Sequence, residues 1–398
     1  MRATPPRKLR LGVAGLGRAF TIMIPTFTLD ERVELMAAAD PRQDARAKFA
    51  EDFKARAYAS VEELCADAAV DAIYVATPHQ FHAAHVCMAA AAGKHVLVEK
   101  PLAVTLSDCR AMIDAAAAAG THLVVGHSHS FDAPYRAARD IIACGEVGKL
   151  GMITAFNFTD FMYRPRRPEE LITAEGGGVL FSQGAHQIDI VRLIGGGRVR
   201  SVRAFTGIWD RTRPAEGAYA ASLEFEGGVF ATAVYSGYGH FDSDEFCGWI
   251  GEMGVAKEPA AFGAARRALA NLPPAQEAAL KAARNFGGRD YKPMPVVGSR
   301  LHQHFGVLLA SCEHADLRMT PEGVMVYGGF ERRLHKITVP PVPRAEVIDE
   351  FHDAVVLGHQ PLHTGRWALA TLEVCIAILQ SAKSRHEVIL EHQVGTRE

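Results

Sequence analysis

The chain lacks a charge excess of either sign: 43 Lys and Arg stand against 45 Asp and Glu, a formal net charge of -2 over 398 residues. Without a global basic field or an acidic tail, no nucleic-acid partner is expected and a small molecule is favoured. It also lacks an uninterrupted apolar run of the roughly 18 residues that would mark a membrane span, so no membrane partner is expected. The opening MRATPPRKLRLGVAGLG passes from basic residues straight into a short strand, without the apolar segment of a secretory signal. Cysteine is sparse. Cys65, Cys87, Cys109, Cys144, Cys247, Cys312 and Cys375 are odd in number, scattered and never arranged as C-x-x-C, which is the usage of reduced core thiols. These absences together predict a cytoplasmic protein.

What is present is apolar mass: 48% hydrophobic and 22% charged residues suit a chain with a large core, and its length suits two domains. Through residue 126, apolar runs (Leu9 to Ala14, Val33 to Ala39, Asp71 to Ala76, His95 to Val98, His122 to Gly126) alternate with helix-patterned stretches. Such alternation predicts parallel strands joined by crossover helices, an α/β doubly wound sheet of Rossmann type over residues 1–126. Residues 127–398 read differently. Helices near Pro134 to Ala143 and Gly178 to Leu193 are set among long strands, Leu150 to Phe161, Val199 to Trp209, Tyr219 to Phe225 and Val229 to Tyr238, with turns such as Glu226-Gly227-Gly228. Strand-like runs return at Phe305 to Cys312, Val324 to Tyr327 and Leu334 to Val339, and two helix patterns close the chain. This predicts an α+β domain with a large, mostly antiparallel open sheet. An alanine-rich, basic stretch at about 255–297 fits neither pattern and reads as a helical insertion.

The first strand runs into Gly12-Val13-Ala14-Gly15-Leu16-Gly17-Arg18-Ala19-Phe20. Gly15 and Gly17 permit a tight turn and bring backbone N–H groups, with Arg18 and Ala19 at the helix start, towards a pyrophosphate. Only two of the three fingerprint glycines are present, because Phe20 holds the third position; taken alone, the turn fits any strand-to-helix junction. Context favours a dinucleotide: Asp40 ends the second strand, about 20 residues on, where a carboxylate binds ribose hydroxyls. Asp40 favours NAD by repelling a 2′-phosphate, while Arg42 offsets that charge and admits NADP. Further along, Lys100 is fixed just past an apolar strand, and Pro101 denies it the helical region, so its ammonium group is aimed by the main chain.

The glycine turn, Ala76-Thr77-Pro78 followed by His82, Gly93-Lys94-His95, Glu99-Lys100-Pro101, and Gly176-Gly177-Gly178 leading to His186 and Asp189 stand in an order that resembles the Gfo/Idh/MocA family of NAD(P)-dependent oxidoreductases. The resemblance spans nearly the whole chain. It implies cofactor contacts at Thr77, Pro78, His82, Glu99 and Lys100, a substrate lying beside the nicotinamide, and assembly through the open sheet into a homo-oligomer, a dimer or tetramer. It also places Lys100 in the active site, where its charge stabilises an alkoxide or helps relay a proton.

On the helix GGGVLFSQGAHQIDIVRLIGG, Ser182, His186, Asp189 and Leu193 are spaced by four, three and four residues, which predicts one shared face. The near-neutral pKa of His186 suits a base that takes a hydroxyl proton as hydride leaves, and Asp189 is placed to set its tautomer. The resembled family carries an aspartate where this chain has Ser182, and often Arg-Phe where it has Ser130-Phe131. Arg164, Arg166 and Arg167, in Tyr163-Arg164-Pro165-Arg166-Arg167-Pro168, read either as a solvated basic loop or, for Arg164 and Arg166, as carboxylate ligands for an anionic substrate. The histidine groups His79-x-x-His82-x-x-His85, His127-x-His129 and His302-x-His304 complete no zinc motif, and no metal is expected.

The strings GGGVLFSQGAHQIDIVRLIGG and CEHADLRMTPEGVMVYG are most similar to members acting as dihydrodihydroxyphthalate dehydrogenases. The expectation is therefore a dehydrogenase moving hydride between nicotinamide and a secondary alcohol carbon of a cyclic diol or polyol, a carboxylated cis-dihydrodiol among them. Rival expectations are a sugar or inositol dehydrogenase, an NAD-dependent glycosidase, and a non-catalytic dinucleotide-binding regulator.

Overall fold

The computed structural model describes residues 7–270, 272–293 and 301–396. They form two compact units, the first being Met1–His127 with Ala279–Gly298 and Pro340–Ala368, the second Ser128–Ala278 with Ser299–Val339 and Leu369–Glu398. Two segments from well beyond residue 126 thus belong with the first unit.

The first unit is built on a six-stranded sheet of β1 (Leu9–Ala14), β2 (Val33–Ala39), β3 (Arg56–Tyr58), β4 (Ala72–Val75), β5 (His95–Val98) and β6 (Leu123–Val125). All its pairings are parallel and its order is β3-β2-β1-β4-β5-β6, the order of a dinucleotide-binding sheet. β4 is buried at every position, as a strand covered on both faces must be. The crossovers carry α1 (Arg18–Leu29), α2 (Gln43–Phe53), α3 (Val61–Cys65), α4 (His82–Ala91) and α5 (Leu106–Ala119). Their ends follow local chemistry: Ser60 and Glu63 form a capping box on α3, Thr105 caps α5, and Gly120 ends it with φ +65°. The short β3 escaped the hydrophobic pattern because none of its three residues is fully buried. At the far edge, Val125 N–H donates to His363 O at 2.8 Å, so the returning segment extends the sheet.

The second unit has α6 (Ala133–Ala143), β7 (Leu150–Phe158), α7 (Ala185–Gly195), β8 (Val199–Gly207), β9 (Ala218–Phe225) and β10 (Phe230–Ser236). After the short helices α8 (Ala264–Ala270) and α9 (Pro274–Ala283) come β11 (Val307–Cys312), β12 (Ala315–Thr320), β13 (Gly323–Gly328) and β14 (Arg332–Lys336). Helix α10 (Ala345–His352) belongs to the first unit. Helix α11 (Gly365–Ser384) and β15 (Val388–Ile389) end the chain. The nine strands order as β14-β13-β12-β11-β7-β10-β9-β8-β15, antiparallel except for β7 with β10. β12 and β15 were not foreseen. The expected insertion resolves into α8 and α9 with turns between; residues 271 and 294–297 of it lie outside the described residues.

Three expectations need correction. The strand expected to reach Phe161 ends at Phe158, because Tyr163 N–H bonds back to Asp160 O at 2.9 Å and turns Phe161–Tyr163 into 3-10 helix. The helix expected from Gly178 does start there, but it is not regular throughout, passing through a π-turn over Leu180–Gly184 before α7. Cys144 is exposed, so it is not a core thiol, although all seven cysteines are unbridged. No helix among the described residues is long and apolar enough to cross a membrane.

Candidate active site

In the first unit, Gly15 has φ +94°, and a Cβ there would stand 2.9 Å from Ala76 O, so only glycine lets the turn lie against the Ala76-Thr77 backbone. Gly17 is the N-cap of α1 and makes no side-chain cap bond; with Arg18 and Ala19 it presents a helix start to an anion. Phe20 is fully buried and packs edge-on against Phe286 at 5.3 Å and tilted on Phe49 at 5.9 Å. The missing third glycine is therefore replaced by an aromatic cluster that holds a segment absent from the simple motif.

Asp40 is buried, and its carboxylate is already engaged. It accepts Leu16 N–H at 2.8 Å, Arg42 N–H at 2.9 Å, and the Arg42 guanidinium at 3.0 and 3.1 Å. Arg42 also reaches Leu16 O and Phe286 O. Asp40 and Arg42 thus brace the glycine turn as a neutralised pair.

His82 is buried between two functional loops. One ring nitrogen lies 2.9 Å from Thr77 O and the other 3.0 Å from Pro101 O, and burial pushes its pKa down to about 4. A neutral ring donates from only one of these nitrogens, so it tethers one of the two turns and packs against the other, which makes it a positioning residue within the unit. Thr77 Oγ1 and His85 Nδ1 are 3.0 Å apart. Glu99 accepts from Tyr74 Oη at 2.5 Å, and burial raises its pKa. Lys100 stands two residues past the end of β5, is partly exposed, and joins Pro101 through a cis peptide bond.

In the second unit the chemistry gathers around α7. Gly178 has φ +81°, and a Cβ there would collide with the Glu216 carboxylate, so glycine admits the buried acid that receives Leu180 N–H at the helix start. His186, Asp189 and Leu193 lie within the regular α-helix, but Ser182 sits in the wider π-turn, where i,i+4 spacing no longer keeps a residue on the same face. Asp189 is locked into the frame: it accepts from Ser130 Oγ and, at 2.9 Å, from Thr371 Oγ1, which in turn accepts from the buried Arg192 at 2.7 Å. Ser130, standing where the family often has arginine, thus gains a partner of its own.

The group that joins His186 is one the sequence did not single out. His129 Nε2 lies 3.2 Å from Glu252 Oε1, its Nδ1 lies 2.6 Å from Asp132, and its ring meets His186 edge-on at 4.8 Å. Burial opposes a charge on His129, but Asp132 and Glu252 outweigh it and raise its pKa to about 9. The ligand-type atoms of His129, His186 and Glu252 lie within 4.8 Å of one another, a geometry open to a proton relay or a metal ion. Phe305 packs on both imidazoles at 5.2 and 5.3 Å and on Tyr235 at 6.1 Å. Tyr235 Oη is 2.7 Å from Thr159 Oγ1, and burial raises its pKa while Arg164 and Arg166 lower it. Histidines, tyrosine and arginines are therefore one neighbourhood.

The two arginines differ. Arg164 is exposed and pairs with Asp160 at 3.0 Å. Arg166 lies 3.6 Å over the Phe161 ring, donates to Phe161 O at 2.6 Å, and is pushed down to a pKa of about 10 by burial; its buried Nε has no protein partner. Arg167 is partly buried and pairs with Glu169 and Glu170. His129 was visible in sequence only as half of a histidine pair, and Glu252, on a loop without a pattern, gave no signal.

A parallel nucleotide-type sheet with a helix-start anion site, joined to an α+β unit holding a buried histidine cluster, defines a two-domain nicotinamide-dependent oxidoreductase. Residues 9–127 match the oxidoreductase family NAD-binding Rossmann fold of Gfo/Idh/MocA, and residues 135–257 match the Gfo/Idh/MocA C-terminal domain. The chain belongs to the Gfo/Idh/MocA oxidoreductase family. It is 46% identical over 378 residues to a 1-carboxy-3-chloro-3,4-dihydroxycyclohexa-1,5-diene dehydrogenase of Comamonas testosteroni, covering 94% of this chain and 95% of that one. It is 36% identical over 189 residues to a 1,5-anhydro-D-fructose reductase of Ensifer adhaerens, covering 46% and 55%. Among solved structures, a dehydrogenase of Bordetella bronchiseptica RB50 superposes with TM-score 0.91 at 43% identity, covering 96% of this chain and all of that one.

Proposed function

We propose that the protein oxidises a carboxylated cyclic cis-dihydrodiol to a catechol with NAD as hydride acceptor. The observation that carries this is the cluster of His129, His186 and Glu252 beside Tyr235, Arg164 and Arg166 in the second unit. Support comes from the relative in Comamonas testosteroni, whose name describes a carboxylated cyclohexadiene diol. Hydride leaves one carbinol carbon for the nicotinamide, and the hydroxyl on that carbon gives its proton to His186. The resulting hydroxydienone loses its remaining sp3 ring proton and regains one on oxygen, so the products are a catechol, NADH and one proton.

His186 is the base, and Glu252 draws the proton away from the imidazole. His129, held charged by Asp132, stabilises the oxyanion that forms. Lys100 is the electrostatic group that the first unit contributes to the reaction. Arg164 and Arg166 receive the carboxylate, with Arg166 contributing the buried Nε. Ser182 offers the substrate a hydroxyl, and Asp189 fixes the frame from which His186 projects. Gly15, Gly17, Arg18 and Ala19 hold the cofactor phosphates; Thr77, Pro78 and Glu99 shape the nicotinamide end. Asp40, neutralised by Arg42, discriminates weakly, so NAD is preferred and NADP is also accepted. Exposed Phe205, Trp209 and Phe230 in the second unit support a homodimer or homotetramer, and the unbridged cysteines support a cytoplasmic setting.

The test is a panel of cis-dihydrodiols and cyclic polyols, each with and without ring carboxylates, offered with NAD or NADP in the presence or absence of a chelator. The expected result is sustained formation of reduced nicotinamide with the carboxylated dihydrodiol, faster with NAD and indifferent to chelation. Turnover of polyols alone would move the assignment to the sugar and inositol branch. An absence of net NADH during product formation would favour the glycosidase cycle.

A further inference from the structure

We propose that the segment around residues 284–292 is a cationic strap that binds the phosphate groups of the dinucleotide, a role that rests on the cofactor assignment above. A cavity of about 600 Å³ in the first unit is lined by Arg18, Arg284, Arg289 and Lys292, with Asp290 and Tyr291. Four cations thus face one carboxylate. The pairing of Arg289 with Asp290, at 3.4 Å and well exposed, neutralises little in water. Arg18 directly follows the N-cap glycine of α1, so the cavity adjoins the helix start assigned to the pyrophosphate.

The strap is fastened by contacts that leave its cations outward. Phe286 is fully buried against Phe20 and stacks on Phe53 at 6.1 Å, while its carbonyl accepts from Arg42 at 3.1 Å. Gly287, at φ +74°, lies so close to α2 that a Cβ would stand 2.7 Å from Ala45 Cα. Lys48 lies 5.9 Å over the Tyr291 ring. Arg284, Arg289 and Lys292 themselves are exposed. A segment held by Phe286, Gly287 and Tyr291, with Arg284, Arg289 and Lys292 exposed, keeps its charges available to a phosphate.

The test uses the full chain and its Arg289→Ala/Lys292→Ala double variant, titrated calorimetrically with ADP-ribose, 2′-phospho-ADP-ribose and nicotinamide mononucleotide. Both substituted residues are exposed, so the melting temperature serves as a control for folding. ADP-ribose affinity is expected to fall about tenfold or more, the loss of two charge-assisted contacts, with a shallower salt dependence and unchanged nicotinamide mononucleotide binding. A loss confined to 2′-phospho-ADP-ribose would place the 2′-phosphate in the cavity; a loss shared by both ligands would place the pyrophosphate there. Equal binding of both ligands by parent and variant overturns the strap alone. A parent chain that binds neither ligand overturns the cofactor assignment instead.

Discussion

At the scale of single residues, two buried histidines carry opposite burdens. His82 is kept neutral, its pKa held near 4, between carbonyls of the first unit; His129 is kept charged, its pKa near 9, between two carboxylates of the second. A histidine whose folded pKa is depressed stabilises the fold above the unfolded value near 6.5 and loses that contribution as pH falls towards 4. One whose pKa is raised stabilises below 6.5 and loses it as pH climbs through 9. Calorimetry across this range should therefore show stability falling on both sides of about pH 6.5. His82→Gln should flatten the acid limb and His129→Asn the alkaline one; a variant that left its limb unchanged would refute that residue's part. For the chemistry, His186→Ala and Lys100→Ala should each lower kcat by about a hundredfold or more, as removal of an acid-base or electrostatic group does, with the NAD dissociation constant of the His186 variant unchanged. Parent-like turnover in either would remove that residue from the mechanism.

At the scale of elements, legibility followed how local the determining forces are. The ends of β1, β2 and β5 coincide with their apolar runs: β1 and β5 are buried at all but one position, and β2 is buried at both of its ends though not between them. The half-exposed β12 and the three-residue β3 carry little apolar signal and were missed. The π-turn ahead of α7 is set by how Gly178 and Glu216 pack, which a count of residues along one helix face does not contain. The site divides in the same way: Lys100 and His186 sit in ordered motifs, whereas Glu252 arrives on a loop whose backbone is anchored by His304, more than fifty positions away in sequence. Phe20, a weakness in the glycine fingerprint when read along the chain, is explained by its packing on Phe49, Phe53 and Phe286, the last brought to it from the stretch between β10 and β11.

At the scale of the whole molecule, the cofactor unit is assembled from three separate stretches of chain. A fragment of residues 7–127 would lack Phe286, whose loss alone is comparable to a large core truncation of about 3–5 kcal/mol, and would expose the β6 edge that Val125 shares with His363. Such a fragment is expected to show a non-cooperative melt and to bind ADP-ribose far more weakly than the full chain. A fragment that melts cooperatively and binds as tightly would show the later segments to be dispensable. The same feature sets terms for recombination between relatives. A nucleotide-binding module with altered cofactor preference cannot be transplanted by one crossover after β6, since the donor's first stretch would meet the recipient's aromatic anchor and edge segment. Three matched exchanges would be needed, so cofactor preference in such chains should change more readily by point substitution than by shuffling whole modules.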